Sequence, residues 1–162
     1  MGDNEPEVFE LESLDSAPKE KVEIIHMQHM YYFSFHNCGE LMELLERHCE
    51  VEILVCIDLS VIMKDEFIRI VADNYDYHFF KQQKRQLQYV QVRLEKEMIK
   101  ESESFFEFID VLAGMNDFIF IVINPKGELP HYLLNDKVRV DTSKDEKIYV
   151  FDYDGAGAFI FS

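Results

Sequence analysis

Phe118-Ile119-Phe120-Ile121-Val122-Ile123, followed by Asn124-Pro125-Lys126-Gly127, opens the part of the chain that decides its architecture. A short apolar run closed by Asn-Pro and Gly reads as a strand ending in a turn. The pattern then repeats downstream. Tyr132 to Leu134, Val138 to Val140, Ile148 to Tyr153 and Phe159 to Phe161 are further short strands. They are separated by Asn135-Asp136, Thr142-Ser143-Lys144-Asp145 and Gly155-Ala156-Gly157. Strands joined by tight turns form an antiparallel meander.

Upstream the periodicity changes. Asn37 followed by Glu40 has capping-box spacing, and Leu41, Leu44, Leu45 and His48 recur at helical intervals. Ser60 opens a second helix with Ile62, Phe67, Ile70 and Val71 facing inward. Ser104 and Glu107 open another, over Phe105 to Leu112, which Gly114 stops. Between the first two helices, Val51 to Ile57 is apolar except for Glu52 and rich in β-branched residues, a run of the kind found in strands covered on both faces. Val22 to Phe35 favours extended structure with a bend near Gln28. For 75–101 the Lys, Arg, Gln and Glu content and the seven-residue spacing of Phe80, Leu87 and Leu94 favour a long helix; a strand over Gln86 to Leu94 is the alternative. Helices come mainly first and strands mainly last. The expected fold is α+β: a single domain over 21–162, with a largely antiparallel sheet, a C-terminal β-meander and three to four helices packed on one face. Residues 1–20, with seven acidic side chains and one lysine, read as a flexible acidic tail.

The chain has 162 residues, 48% of them apolar, which suffices for a core of its own. Its 32 acidic and 16 basic residues leave a formal charge of −16. A field of that sign repels phosphate, so direct nucleic-acid binding and attachment to anionic membranes are not expected. The longest apolar run is far shorter than the roughly 20 residues a membrane-spanning helix needs, and the acidic N-terminus does not resemble a secretory signal. Three cysteines, Cys38, Cys49 and Cys56, do not make a disulfide framework, which fits a cytoplasmic, reducing compartment.

No reaction is written in the motifs. His26, His29, His36, Cys38, His48 and Cys49 are dense in ligand types, but their spacing does not assemble one tetrahedral zinc site. No metal, cofactor or catalytic residue is assigned from them. Cys38 at a helix start has a dipole that favours thiolate, and Glu40 and Glu43 nearby that oppose it. Val150-Phe151-Asp152-Tyr153-Asp154-Gly155 resembles the aspartate motif of haloacid-dehalogenase-type phosphatases, in which the first Asp is the nucleophile of a large doubly wound domain. Ala156 stands where that motif has Thr, and the likeness ends with these six residues, so no role passes to Asp152 or Asp154.

The expected function is therefore non-enzymatic: an acidic protein-binding module, acting as adaptor, regulator or inhibitor on a basic surface of a partner protein. Two segments are candidate partner-binding elements. Phe9, Leu11 and Leu14 combine apolar anchors with negative charge in the tail. Lys81, Lys84 and Arg85 belong to a local basic stretch, 81–100, with six basic residues against two acidic, and would share one face of the expected helix. The apolar face of that 80–98 helix suggests a homodimer seam. Two alternatives stand beside this reading. One is an immunity protein or DNA-mimic inhibitor of a nucleic-acid enzyme, which needs its acids on one continuous face. The other is a small hydrolase or ligand-sensing domain whose site on the sheet would draw on His26, His29, Asp58, His78 and His131.

Overall fold

A computed structural model describes residues 8–10, 22–26, 28–59, 65–69, 74–81, 88–114, 119–126, 133–134, 137–141, 147–151 and 157–162. In chain order the elements are β1 (Val8–Glu10), β2 (Val22–Ile25), β3 (Met30–Ser34), α1 (Cys38–His48), β4 (Glu52–Leu59), α2 (helical over 65–69), β5 (Asp76–Lys81), β6 (Gln88–Glu95), α3 (Lys96–Ile99), α4 (Glu103–Gly114), β7 (Ile119–Ile123), β8 (Leu133–Leu134), β9 (Lys137–Asp141), β10 (Lys147–Phe151) and β11 (Gly157–Phe161). Eight strands form one sheet in the order β1-β3-β11-β10-β7-β4-β6-β5, and every pairing in it is antiparallel. The fold is α+β with a largely antiparallel sheet.

Register explains why the apolar runs are continuous. Ile53, Val55 and Ile57 of β4 stand opposite Leu94, Val92 and Val90 on one side and Ile123, Ile121 and Ile119 on the other. These residues share the face that packs on α1 and α4, with Leu41, Leu45, Phe105, Phe106 and Ile109 filling the layer between. The intervening residues, Leu54, Cys56, Phe120, Val122, Ile148 and Val150, face the other way and are also fully buried. The central strands are thus closed to water on both faces, as the unbroken runs imply.

Two expectations are corrected here. The long helix over 80–98 does not form. Residues 76–81 and 88–95 are the strands β5 and β6, paired from Asp76↔Arg93 to Lys81↔Gln88, and the next described helix starts at Lys96. Val90, Val92 and Leu94 alternate at period two and pair along all of β4, and that long-range burial overrides the helix propensity of the neighbouring Lys, Arg and Gln. The homodimer seam drawn on that helix goes with it. The C-terminal meander is also divided. β7, β10 and β11 lie side by side, while β8 and β9 join β2 in a separate three-stranded sheet whose β2–β9 pairing is parallel.

The bend expected near Gln28 falls at His26, whose φ of 58° lies in the left-handed region. It separates β2 in the small sheet from β3 in the large one. Gly157 starts β11 where β3 passes very close, since a Cβ there would stand 2.5 Å from the Phe33 carbonyl oxygen and from the Tyr32 hydroxyl. Ser102, not Ser104, precedes α4. Its hydroxyl donates to the Met98 carbonyl at 2.6 Å and its own carbonyl accepts from the Phe106 N–H. Ser104 is exposed within the helix.

Candidate functional site

α1 and α4 lie against each other above the sheet, and each turns a charged side outward. α1 is started by Asn37, whose side chain accepts from the Glu40 N–H at 3.1 Å while Glu40 reaches back to accept from the His36 N–H at 2.9 Å. The first bond is the one expected of that spacing; the second departs from a strict capping box, because Glu40 takes the N–H of the residue before the cap. The cap fixes the helix phase, so that Cys38, Leu41, Met42, Leu44 and Leu45 turn inward and Glu43 outward. In α4 the same logic buries Phe105, Phe106, Phe108, Ile109 and Leu112 and leaves Glu103 and Glu107 exposed, with Asp110 half-buried.

The two helices meet at Cys38. Its sulfur and the carboxylates of Glu103 and Glu107 all lie within 4.8 Å of one another. Burial pushes the Cys38 thiol up, and the negative charges of Glu107, Glu103 and Asp110 push it further. The thiol therefore stays protonated at neutral pH, the form that is neither a nucleophile nor a strong metal ligand. These are the residues a cation would meet first, but the arrangement is chiefly a concentration of negative potential. The opposition to thiolate formation expected from Glu40 and Glu43 comes instead from α4, more than sixty residues away in sequence. Among the described residues no Lys or Arg forms an ion pair with Glu103, Glu107 or Asp110, and α4 has no basic residue in its last turn. Lys100 pairs with Glu46 at 3.2 Å on the neighbouring side. As an exposed pair it adds little stability.

At the other end of α1, His48 is half-buried and its Nδ1 lies 3.4 Å from Lys147 Nζ. Burial, then the charges of Lys147 and Arg47, hold its imidazole below the ordinary histidine range. The folded chain disfavours the imidazolium, so this contribution to stability is fully present above about pH 6.5 and is lost as pH falls from there through the lower value of the folded state. His48→Gln is expected to weaken the pH dependence of the urea midpoint between pH 7 and pH 5. The effect is below about 1 kcal/mol, because water screens a half-exposed group. Identical wild-type and variant slopes over that interval would refute it.

The other candidates do not assemble into one site. Phe9 lies in β1, opposite Tyr32, and Lys81 ends β5. Leu11, Leu14, Lys84, Arg85 and His131 lie outside the described residues. Lys81 therefore stands on a strand and not on the helical face expected of it. His26 lies at the bend before β3 with His29 just after it, and His78 is on β5; both histidine positions are exposed, six strands apart across the sheet. At about 4.8 Å per strand that is roughly 29 Å. Asp58 belongs to β4, between them. A half-open cleft of about 370 Å³ does exist, between Asn74-Tyr75 and the α3–α4 turn, where Tyr75 and Phe105 rings lie 5.0 Å apart. Its described lining includes Glu101, Ser102 and Ser104 and none of the histidines named above.

No helix among the described residues is long and apolar enough to cross a membrane. Cys38, Cys49 and Cys56 are buried free thiols. The acidic helical face could not be located from the sequence as a unit, because it arises where two helices far apart in the chain are laid side by side. No protein-family model, curated protein or solved structure matches this chain.

Proposed function

We propose that this chain is a non-enzymatic protein-binding module that offers the α1–α4 face to a basic surface of a partner protein, as adaptor, regulator or inhibitor. The observation that carries the reading is the convergence of Glu103, Glu107 and Asp110 with the N-terminal end of α1, without compensating ion pairs among the described residues. Such a patch within a molecule of charge −16 steers a cationic partner over long distances and disfavours anionic ones. The narrower reading, a phosphate-mimicking inhibitor of a nucleic-acid enzyme, is supported by the same feature, since these acids rise along one side of a single helix.

Neutralising the face with Glu43→Gln, Glu103→Gln, Glu107→Gln and Asp110→Asn leaves the Asn37–Glu40 cap and the apolar layer intact. Wild-type protein is expected to capture its partner from native extract at about 50 mM salt and to release it by about 0.5 M, where the screening length drops below about 5 Å. The neutralised variant should retain less than about a tenth as much, equivalent to roughly 1.4 kcal/mol. A control carrying Asp65→Asn, Glu66→Gln and Asp76→Asn should bind like wild type. The Cys38 thiol should also titrate lower in the neutralised variant, a check on the field that does not depend on any partner. Equal capture by both variants, or capture indifferent to salt, would sink the reading.

A further inference from the structure

The edge of the large sheet is closed by a strand that is not part of a hairpin. β3 pairs with β11 through five register pairs on its inner side, and on its outer side with β1 through three: Val8↔Phe33, Phe9↔Tyr32 and Glu10↔Tyr31. The next described element after β1 is β2, which lies in the other sheet. Residues 11–21 connect them. Eleven residues reach up to about 36–40 Å when extended, so the connector does not oblige β1 to fold back on its own β3.

We propose that β1 is an exchangeable arm, and that the β3 edge of one copy receives residues 8–10 of a second copy. A three-residue pairing at a sheet edge opens at far lower cost than the domain unfolds. Opening leaves the five residues of β3, with the half-buried Tyr31 and Tyr32, as a bare edge that templates another strand. The strand already seen to fit this edge is the chain's own. An identical segment arriving from a second copy makes the same three register pairs, and the two arrangements differ only in connector entropy and effective concentration. Charge opposes the exchange, because each copy carries −16 and the arm itself is flanked by Glu7 and Glu12. Added salt therefore favours the exchanged dimer. That is the reverse of the salt dependence expected at the α1–α4 face, so the two proposals stand or fall separately.

The test uses full-length chains bearing one introduced cysteine each, at directly opposed positions, beside the buried Cys38, Cys49 and Cys56. Phe9→Cys and Tyr32→Cys proteins are mixed and oxidised. A reducible species of twice the chain mass, containing one of each, forms only if the arm of one copy lies on the edge of the other. It should increase with protein concentration and severalfold with salt. Glu10→Cys mixed with Tyr31→Cys repeats the test at a second register pair, should Tyr32→Cys fold poorly. Wild type alone, and Phe9→Cys mixed with Val111→Cys, should give no such species. The proposal is overturned if the Phe9→Cys/Tyr32→Cys double variant closes only within its own chain while the mixtures give nothing at any concentration. It is equally overturned if the folded double variant does not close at all, or if the Val111→Cys mixture crosslinks as well.

Discussion

Phe67→Ala is expected to cost about 3–5 kcal/mol of folding stability, the range for deleting a fully buried aromatic ring. Phe67 is completely buried on the short helix α2. Its ring centroid lies 6.3 Å from Tyr77, 6.0 Å from Phe79 and 6.3 Å from Phe108. It is the point at which α2, the end strand β5 and α4 are held together. Tyr77 and Phe79 are themselves only half-buried, so without the ring between them and Phe108 the β5 edge loses much of its cover. Chemical denaturation should show the full loss. Hydrogen exchange should show β5 amides, paired only to β6 among the described strands, deprotected beyond the global change. Phe67→Leu should recover more than half of the loss. A cost below about 1 kcal/mol for the alanine variant would mean that the site collapses freely and that Phe67 is no anchor.

Asn124→Ala is the second large effect, expected at about 2–5 kcal/mol, and it has a different origin. Asn124 follows β7 with φ of 51°, in the left-handed region that costs an ordinary residue about 1–2 kcal/mol. Its side-chain oxygen accepts from the backbone N–H groups of Glu50 and Val51, at 3.0 and 3.1 Å, while its own N–H donates to the Glu52 carbonyl at 2.9 Å. One side chain thus holds the turn that brings the chain from α1 into β4, the central strand that β7 must meet in register. Alanine loses both side-chain bonds, each worth about 0.5–1.5 kcal/mol net, and bears the conformational strain as well. Asn124→Gly removes the strain but not the loss of bonds, so it should fall between alanine and wild type. Asn124→Asp keeps an acceptor in place and should lie within about 1 kcal/mol of wild type. If glycine proved no better than alanine, the left-handed conformation would not be a cost. If aspartate proved as poor as alanine, the two hydrogen bonds would not be the reason for the residue.

Asn124 also shows where reading a chain residue by residue stops. Asn124-Pro125-Lys126-Gly127 is legible as a turn, because that chemistry is local. That its amide serves two donors more than seventy residues earlier is not, because nothing near Asn124 mentions Glu50. The same division runs through the candidate site. The Asn37–Glu40 cap and the inward stripe of α1 were legible, as was the apolar stripe of α4, since each depends on residues within one or two helical turns. That Cys38 would sit among carboxylates of α4 was not. For 75–101 the local signal misled. Lys, Arg and Gln lower the free energy of a helix by tenths of a kcal/mol each, whereas Val90, Val92 and Leu94 each gain on the order of 1.5–3 kcal/mol by burial against β4.

What the sequence by itself determined is the class of fold, the covered nature of β4, the N-terminal cap of α1, and the sign and size of the charge. Each is a property of composition or of spacing along a few consecutive residues. Tertiary structure alone decided the strand order, the division of the C-terminal strands between two sheets, the hairpin at β5–β6, and the meeting of Glu103 and Glu107 with Cys38. Those outcomes depend on which distant surfaces bury each other most completely, and burial energy belongs to the pair of surfaces rather than to either stretch of chain.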